Sequence, residues 1–252
     1  MKNEVDRKLY VVIFVFLLLS SIVFAVPEGP TTISVVSNTT RTSLSNGTFV
    51  NYTDAGGYIT YINLTAVQTN TRWKGFVGNV TGLLVLQSAM SSTLYDWTMS
   101  STLTGEVYAS RSNAVTWAKI NCTWAWGNGG IINLSGVNNR SFEANESAAL
   151  GGFTTDDNIS ATFDVRNHPA VDIGAVNLPA NYCWNTNPYV NNASDGTKFD
   201  ELVLYDNTSL VYATILEQDQ AGYDSKAYDF ELIVPQGNAT GSRGYYIYVE
   251  VI

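Results

Sequence analysis

The chain is written mostly in short alternations of apolar and polar residues. Runs rich in Tyr, Val, Ile, Thr and Phe are separated by Gly, Asn, Asp and Ser, the usual composition of strands and turns. The pattern predicts strands at 32–36, 58–66, 74–80, 83–88, 94–99, 105–110, 115–124, 159–165, 199–206, 210–217, 228–234 and 244–251. So many short strands with frequent turns predict an all-β chain, a β-sandwich built as one large unit or two closely associated ones. In 115–124 the two-residue period places Ala118, Ile120, Cys122 and Trp124 on one face. Trp117, Lys119, Asn121 and Thr123 fall on the other, outward face. In 58–65, Ile59, Tyr61, Asn63 and Thr65 alternate with Tyr58, Thr60, Ile62 and Leu64. The last strand carries Tyr245, Ile247, Val249 and Val251 on one side.

At most one short helix is expected. Ser141 would cap it, Glu143 and Glu146 would favour its first turns, and Gly151 would end it. Residues 166–198 carry Asn, Pro and Gly without a clear period. Structureless stretches of that length are uncommon inside compact domains, which points to further strands there.

One segment breaks the β pattern. An apolar run from Leu9 to Phe24 follows Lys2, Arg7 and Lys8, and Val23-Phe24-Ala25 places small residues where a signal peptidase cuts. Residues 1–25 therefore read as an export signal. The rival is an uncleaved anchor, but 16 apolar residues fall short of the roughly 20 that a spanning helix needs. A prepilin-type signal would place Gly just before the apolar run, where Arg7-Lys8 stand instead. Residues 26–37 form an extended N-terminal segment opened by Pro27, Gly29 and Pro30. Its strand, Thr32, Ile33, Ser34, Val35 and Val36, either pairs within its own sheet or leaves it to join a neighbour's open edge as a donor strand. Residues 38–252 are the β-sandwich region, with a candidate subdivision near 151, at Gly151-Gly152.

Charge narrows the function classes. The formal net charge is −9, and beyond residue 25 the only lysines are Lys74, Lys119, Lys198 and Lys226. No basic stripe exists for nucleic acid. The acidic surface serves solubility or binds cations between subunits. Cys122 and Cys183 are the only cysteines. In an exported chain they predict one disulfide, the alternative being two reduced buried thiols.

The sequence holds 13 N-x-S/T sequons, at Asn38, Asn46, Asn51, Asn63, Asn79, Asn121, Asn133, Asn139, Asn145, Asn158, Asn192, Asn207 and Asn238. Random placement of its 24 Asn among 47 Ser and Thr would give roughly four or five of these glycan acceptors. The excess predicts covalent N-glycans and an extracellular or cell-surface location.

Catalytic patterns are sparse. His168 is the only histidine. It has no G-x-S-x-G partner motif and reads as a loop residue. Asp156-Asp157-Asn158, followed by Asp164, reads as a turn opening a strand. Its sharper alternatives are an acid–base pair and a Ca²⁺ site. Asp195-Gly196, Asn46-Gly47 and Asn128-Gly129 are turn signals. The tryptophans, Trp73, Trp97, Trp117, Trp124, Trp126 and Trp184, read as core or interface packing. Sugar stacking is the alternative, with Trp117 the best-placed platform. No catalytic, cofactor or metal residue is assigned, and the chain reads as a non-enzyme.

The stretch Trp73-Lys74-Gly75-Phe76-Val77-Gly78-Asn79-Val80-Thr81-Gly82 continues through Tyr95-Asp96-Trp97 and Gly105-Glu106-Val107-Tyr108-Ala109-Ser110. Over about residues 30–125 the chain resembles uncharacterised archaeal secreted and cell-surface glycoproteins with a W-x-G-[FY]-x-G-N-V-[ST]-G segment. The resemblance implies an archaeal, extracellular setting and transfers no activity. The reading that follows is a structural extracellular glycoprotein, a subunit of a cell-surface filament or surface layer. Its partners would be further copies or other surface proteins. A secreted glycan-binding module is the alternative, and a secreted hydrolase the third reading.

Overall fold

The computed structural model describes residues 26–38, 70–82, 84–97, 104–123, 150, 155–236 and 243–251. The export signal, the strand at 58–66, nearly all of the helix at 141–151, and Trp124 and Trp126 lie outside the described residues. The strands in chain order are β1 (Trp73–Gly78), β2 (Leu84–Gln87), β3 (Thr93–Trp97), β4 (Gly105–Ser110), β5 (Asn121–Cys122), β6 (Val171–Ile173), β7 (Val176–Leu178) and β8 (Asn185–Thr186). They continue with β9 (Tyr189–Val190), β10 (Ala193–Ser194), β11 (Glu201–Tyr205), β12 (Leu210–Ile215), β13 (Gln220–Ala221), β14 (Ala227–Tyr228), β15 (Phe230–Pro235) and β16 (Tyr246–Val251). One short helix, α1 (Ile159–Thr162), precedes β6. The fold is all-β.

A central antiparallel sheet runs in the order β16-β4-β12-β11-β5, with β8 also paired to β11. The β11–β12 hairpin owes its tight turn to Asp206, whose Oδ1 accepts from the N–H groups of Thr208 and Ser209 at 2.8 and 2.7 Å. Asn207 takes a left-handed φ of 75° in that turn, a conformation Asn tolerates.

Both faces of this sheet are covered, so β4 and β11 are buried along their whole length. A strand buried on both faces reads as a continuous apolar run rather than an alternation. On one face Tyr108, Leu202, Leu204, Val211 and Ala213 pack against Val171, Ile173 and Leu178 and the Cys122 and Cys183 side chains. On the other, Val203, Tyr205 and Tyr212 pack against Leu232 and Val234 of β15 and Phe163 after α1. Each such buried large side chain contributes about 1.5–3 kcal/mol of transfer free energy. β15 pairs with β1 in a separate two-stranded ribbon over that second face.

Three segments depart from the alternation. In 115–124 only Asn121–Cys122 is strand, and Trp117–Lys119 is a 3-10 turn. Tertiary anchors prevail there: Trp117 packs between Tyr108 and Tyr248 at 5.0 and 5.1 Å, and Thr116 N donates to Asp206 Oδ2 at 2.8 Å. Thr123 points inward, its hydroxyl donating to Val203 O at 2.8 Å. The segment 159–165 begins as helix because Asn158 caps it. Residues 166–198 contain five short strands, β6 to β10, which the absence of long apolar runs conceals.

Candidate assembly site

The N-terminal segment starts on the outer edge of β16. Glu28 and Val249 exchange both main-chain bonds, Glu28 N to Val249 O at 3.1 Å and Val249 N to Glu28 O at 2.8 Å. In that antiparallel register the next bonded pair would join residue 30 to Ile247. Residue 30 is Pro, which has no N–H to give, so the ladder stops after one rung. Beyond it, residues 31–38 make no hydrogen bond to any described residue. Ile33, Val35 and Val36 are 67%, 77% and 95% exposed. The expected strand at 32–36 is therefore not paired with any described residue of its own subunit. An extended apolar segment whose main-chain groups bond to no described residue has the makings of a strand that pairs elsewhere.

The described sequons fall into two groups. Asn38, Asn79, Asn192 and Asn207 are exposed. Asn192 and Asn207 have left-handed φ values in turns, and Asn191-Asn192 is the two-residue turn between β9 and β10. Asn121 is half-buried and Thr123 of the same sequon is buried, so the outward placement of that hydroxyl does not hold. Asn158 is buried and serves as a cap: its Oδ1 accepts from Ala161 N at 2.9 Å and its Nδ2 donates to Thr155 O at 2.6 Å. A glycan on that nitrogen would have to displace the cap. Replacing Asn158 by Ala is expected to cost about 1 kcal/mol of stability, with Asn158→Asp losing less because it keeps the acceptor. Chemical denaturation of the two variants measures the difference. Asn46, Asn51, Asn63, Asn133, Asn139, Asn145 and Asn238 lie outside the described residues.

Cys122 and Cys183 are joined, tying β5 to the connection between β7 and β8. His168 supports that connection. Its Nε2 accepts from Cys183 N at 2.9 Å, so the proton sits on Nδ1, which donates to Pro169 O at 2.6 Å. Burial pushes the imidazole below its usual value, favouring the neutral form this geometry needs. His168 is thus a structural loop residue.

The acidic triplet is structural too. Asp157 pairs with Arg72 at 3.0 Å and accepts from Asn70 at 2.9 Å, and its backbone carbonyl accepts from the Trp73 indole at 2.8 Å. The Asp156-Asp157-Asn158 turn therefore opens a helix rather than a strand. Among the described residues, no three His, Cys, Asp or Glu side chains gather in a way that could hold a metal ion. None of the helices among them is long and apolar enough to cross a membrane.

Alternation did not reveal a pair of buried carboxylates that face each other across two strands. Glu106 of β4 lies directly opposite Glu250 of β16, and both are buried. The Tyr108 hydroxyl is 3.2 Å from Glu106 Oε2 and 3.0 Å from Glu250 Oε2. One hydroxyl has one proton, so it donates to one carboxylate and accepts from the other carboxyl group. Gly174 N donates to both Glu250 oxygens, at 3.0 and 3.2 Å, which favours the charge on Glu250. Glu106 then carries the shared proton. Burial, followed by repulsion from Glu250, pushes its pKa from 4.5 to about 8. The only legible trace was two glutamates in otherwise apolar runs, Gly105-Glu106-Val107 and Val249-Glu250-Val251.

No family model matches the chain, and neither a curated protein nor a solved structure matches it.

Proposed function

We propose that the chain is a structural extracellular glycoprotein, a subunit that builds a cell-surface filament or surface layer. The observation that carries this reading is the exposed, apolar segment at 31–38, which follows a single rung at Glu28 and bonds to no described residue. Such a segment gains main-chain hydrogen bonds and buries Ile33 and Val35 when it joins the open sheet edge of another copy. The disulfide fits an oxidising compartment. The four exposed sequons fit a sugar-covered surface on which assembly uses strand edges and termini. The glycan-binding alternative would use the half-buried Trp117, which packs against Tyr108 and Tyr248, or other exposed aromatics.

Deleting residues 31–37 leaves the Glu28 rung in place. The deleted protein is expected to remain folded, with an unchanged thermal midpoint, and to sediment as a monomer where the mature wild type forms polymers. Polymers of normal length from the deleted protein would remove the segment from the assembly.

A further inference from the structure

The β1–β15 ribbon has one closed edge and one edge that pairs with no described residue. The closed edge belongs to β15, where Ile233 N donates to the buried Glu201 Oε2 at 2.8 Å. Pro235 falls on the same side, where its missing N–H costs nothing. Gln236 N bonds to Arg72 O at 2.6 Å, so the even-numbered residues of β1 face β15. Trp73, Gly75 and Val77 then direct their N–H and C=O groups outward, and no described residue bonds to them.

Gly75 adds an independent observation. It sits inside the strand, where glycine weakens pairing and often marks close approach of another backbone. The packing of the described residues does not demand it. A Cβ there would meet only Leu232 O, at 3.9 Å, an ordinary contact.

We propose that the outer edge of β1 accepts residues 32–36 of a second copy of this chain. This rests on the donor-strand reading above and names its acceptor. The lengths agree, five donor residues against six in β1. In both partners these main-chain groups bond to no described residue. Each copy's own segment is pinned at Glu28 to the far edge of the central sheet, on β16. Two described sequons, Asn38 and Asn79, lie just beyond the ends of the paired stretch in sequence, so sugars there would flank it. Donor and acceptor surfaces differ, so the contact is head-to-tail and repeats without closing on itself unless the rotation forms a ring.

The test uses two full-length mature variants. Gly75→Pro removes an outward N–H and leaves the even-numbered bonds to β15, as edge strands tolerate. Ile33→Asp/Val35→Asp disables the donor. Each alone is expected to stay monomeric by sedimentation velocity, and an equimolar mixture is expected to give 1:1 dimers that do not grow. Wild-type polymers from Gly75→Pro, or no dimer in the mixture, would overturn the assignment to β1. If only the donor variant stops assembling, the donor reading stands and the β1 acceptor falls. If the wild type itself never assembles, both fall. A second measurement does not depend on proline being tolerated: copies carrying Ser34→Cys and Gly75→Cys, mixed and mildly oxidised, should form an intermolecular disulfide, and its absence overturns the proposal.

Discussion

Replacing Cys122 and Cys183 together by alanine lowers the unfolding free energy by about 4 kcal/mol, the chain-entropy cost of opening a loop of this length. The bond spans a sequence separation of 61. It joins β5, at one edge of the central sheet, to a connection built from short strands with few ladder bonds of their own. Both sulfurs lie in the core on one sheet face, with Val171, Ile173 and Leu178. The lost packing adds to the entropic term. The neighbouring bond from Cys183 N to His168 Nε2 depends on the same backbone staying in place. Urea unfolding of the oxidised protein and the double variant measures the change through the midpoint. A loss below about 1 kcal/mol would mean that the 166–183 connection holds its place without the bridge.

The second large effect is on pH dependence. Glu106 has a folded pKa of about 8 against an ordinary 4.5. The folded protein therefore keeps a proton that the unfolded chain releases above about pH 4.5. Through that window the unfolded state binds fewer protons, so this group's contribution falls as pH rises from 4.5 to about 8 and then levels off. The slope approaches about 1.4 kcal/mol per pH unit. Glu250, also raised by burial, acts in the same direction. His168 acts oppositely: its lowered value makes its contribution full above about 6.5 and lost as pH falls below that. Glu106→Gln isolates the effect. The amide can still donate to the Tyr108 hydroxyl, and no proton is required. The variant is expected to match wild type near pH 4.5 and to exceed it by about 4 kcal/mol at pH 8. Parallel stability–pH curves for the two proteins would rule out the shared proton.

Much of the sheet was legible because alternation and turn residues report local geometry. The run 105–110 was read to its ends, and the strands at 199–206 and 210–217 are the β11–β12 hairpin to within a few residues. What alternation could not report was set by distant partners. Trp117 and Thr116 are drawn out of a strand by Tyr108, Tyr248 and Asp206. Asn158 turns 159–162 into helix by satisfying its first N–H groups. Within 166–198 the strands are two or three residues long, too short to establish a period. The assembly site was legible in part. The apolar run at 32–36 after Pro30 is visible in sequence, but that no described residue pairs with it appears only in three dimensions. The open edge of β1 required the register with β15.

Amide hydrogen exchange at Ile33 to Val36, followed as the mature protein is taken from dilute solution into its assembled form, tests the central claim most directly. In the monomer these amides are expected to exchange without protection, because no described residue bonds to them. In the assembled form alternate amides are expected to be strongly protected, as in a strand interior. Unprotected amides throughout 31–38 in fully assembled material would contradict the proposal that this segment joins one subunit to the next.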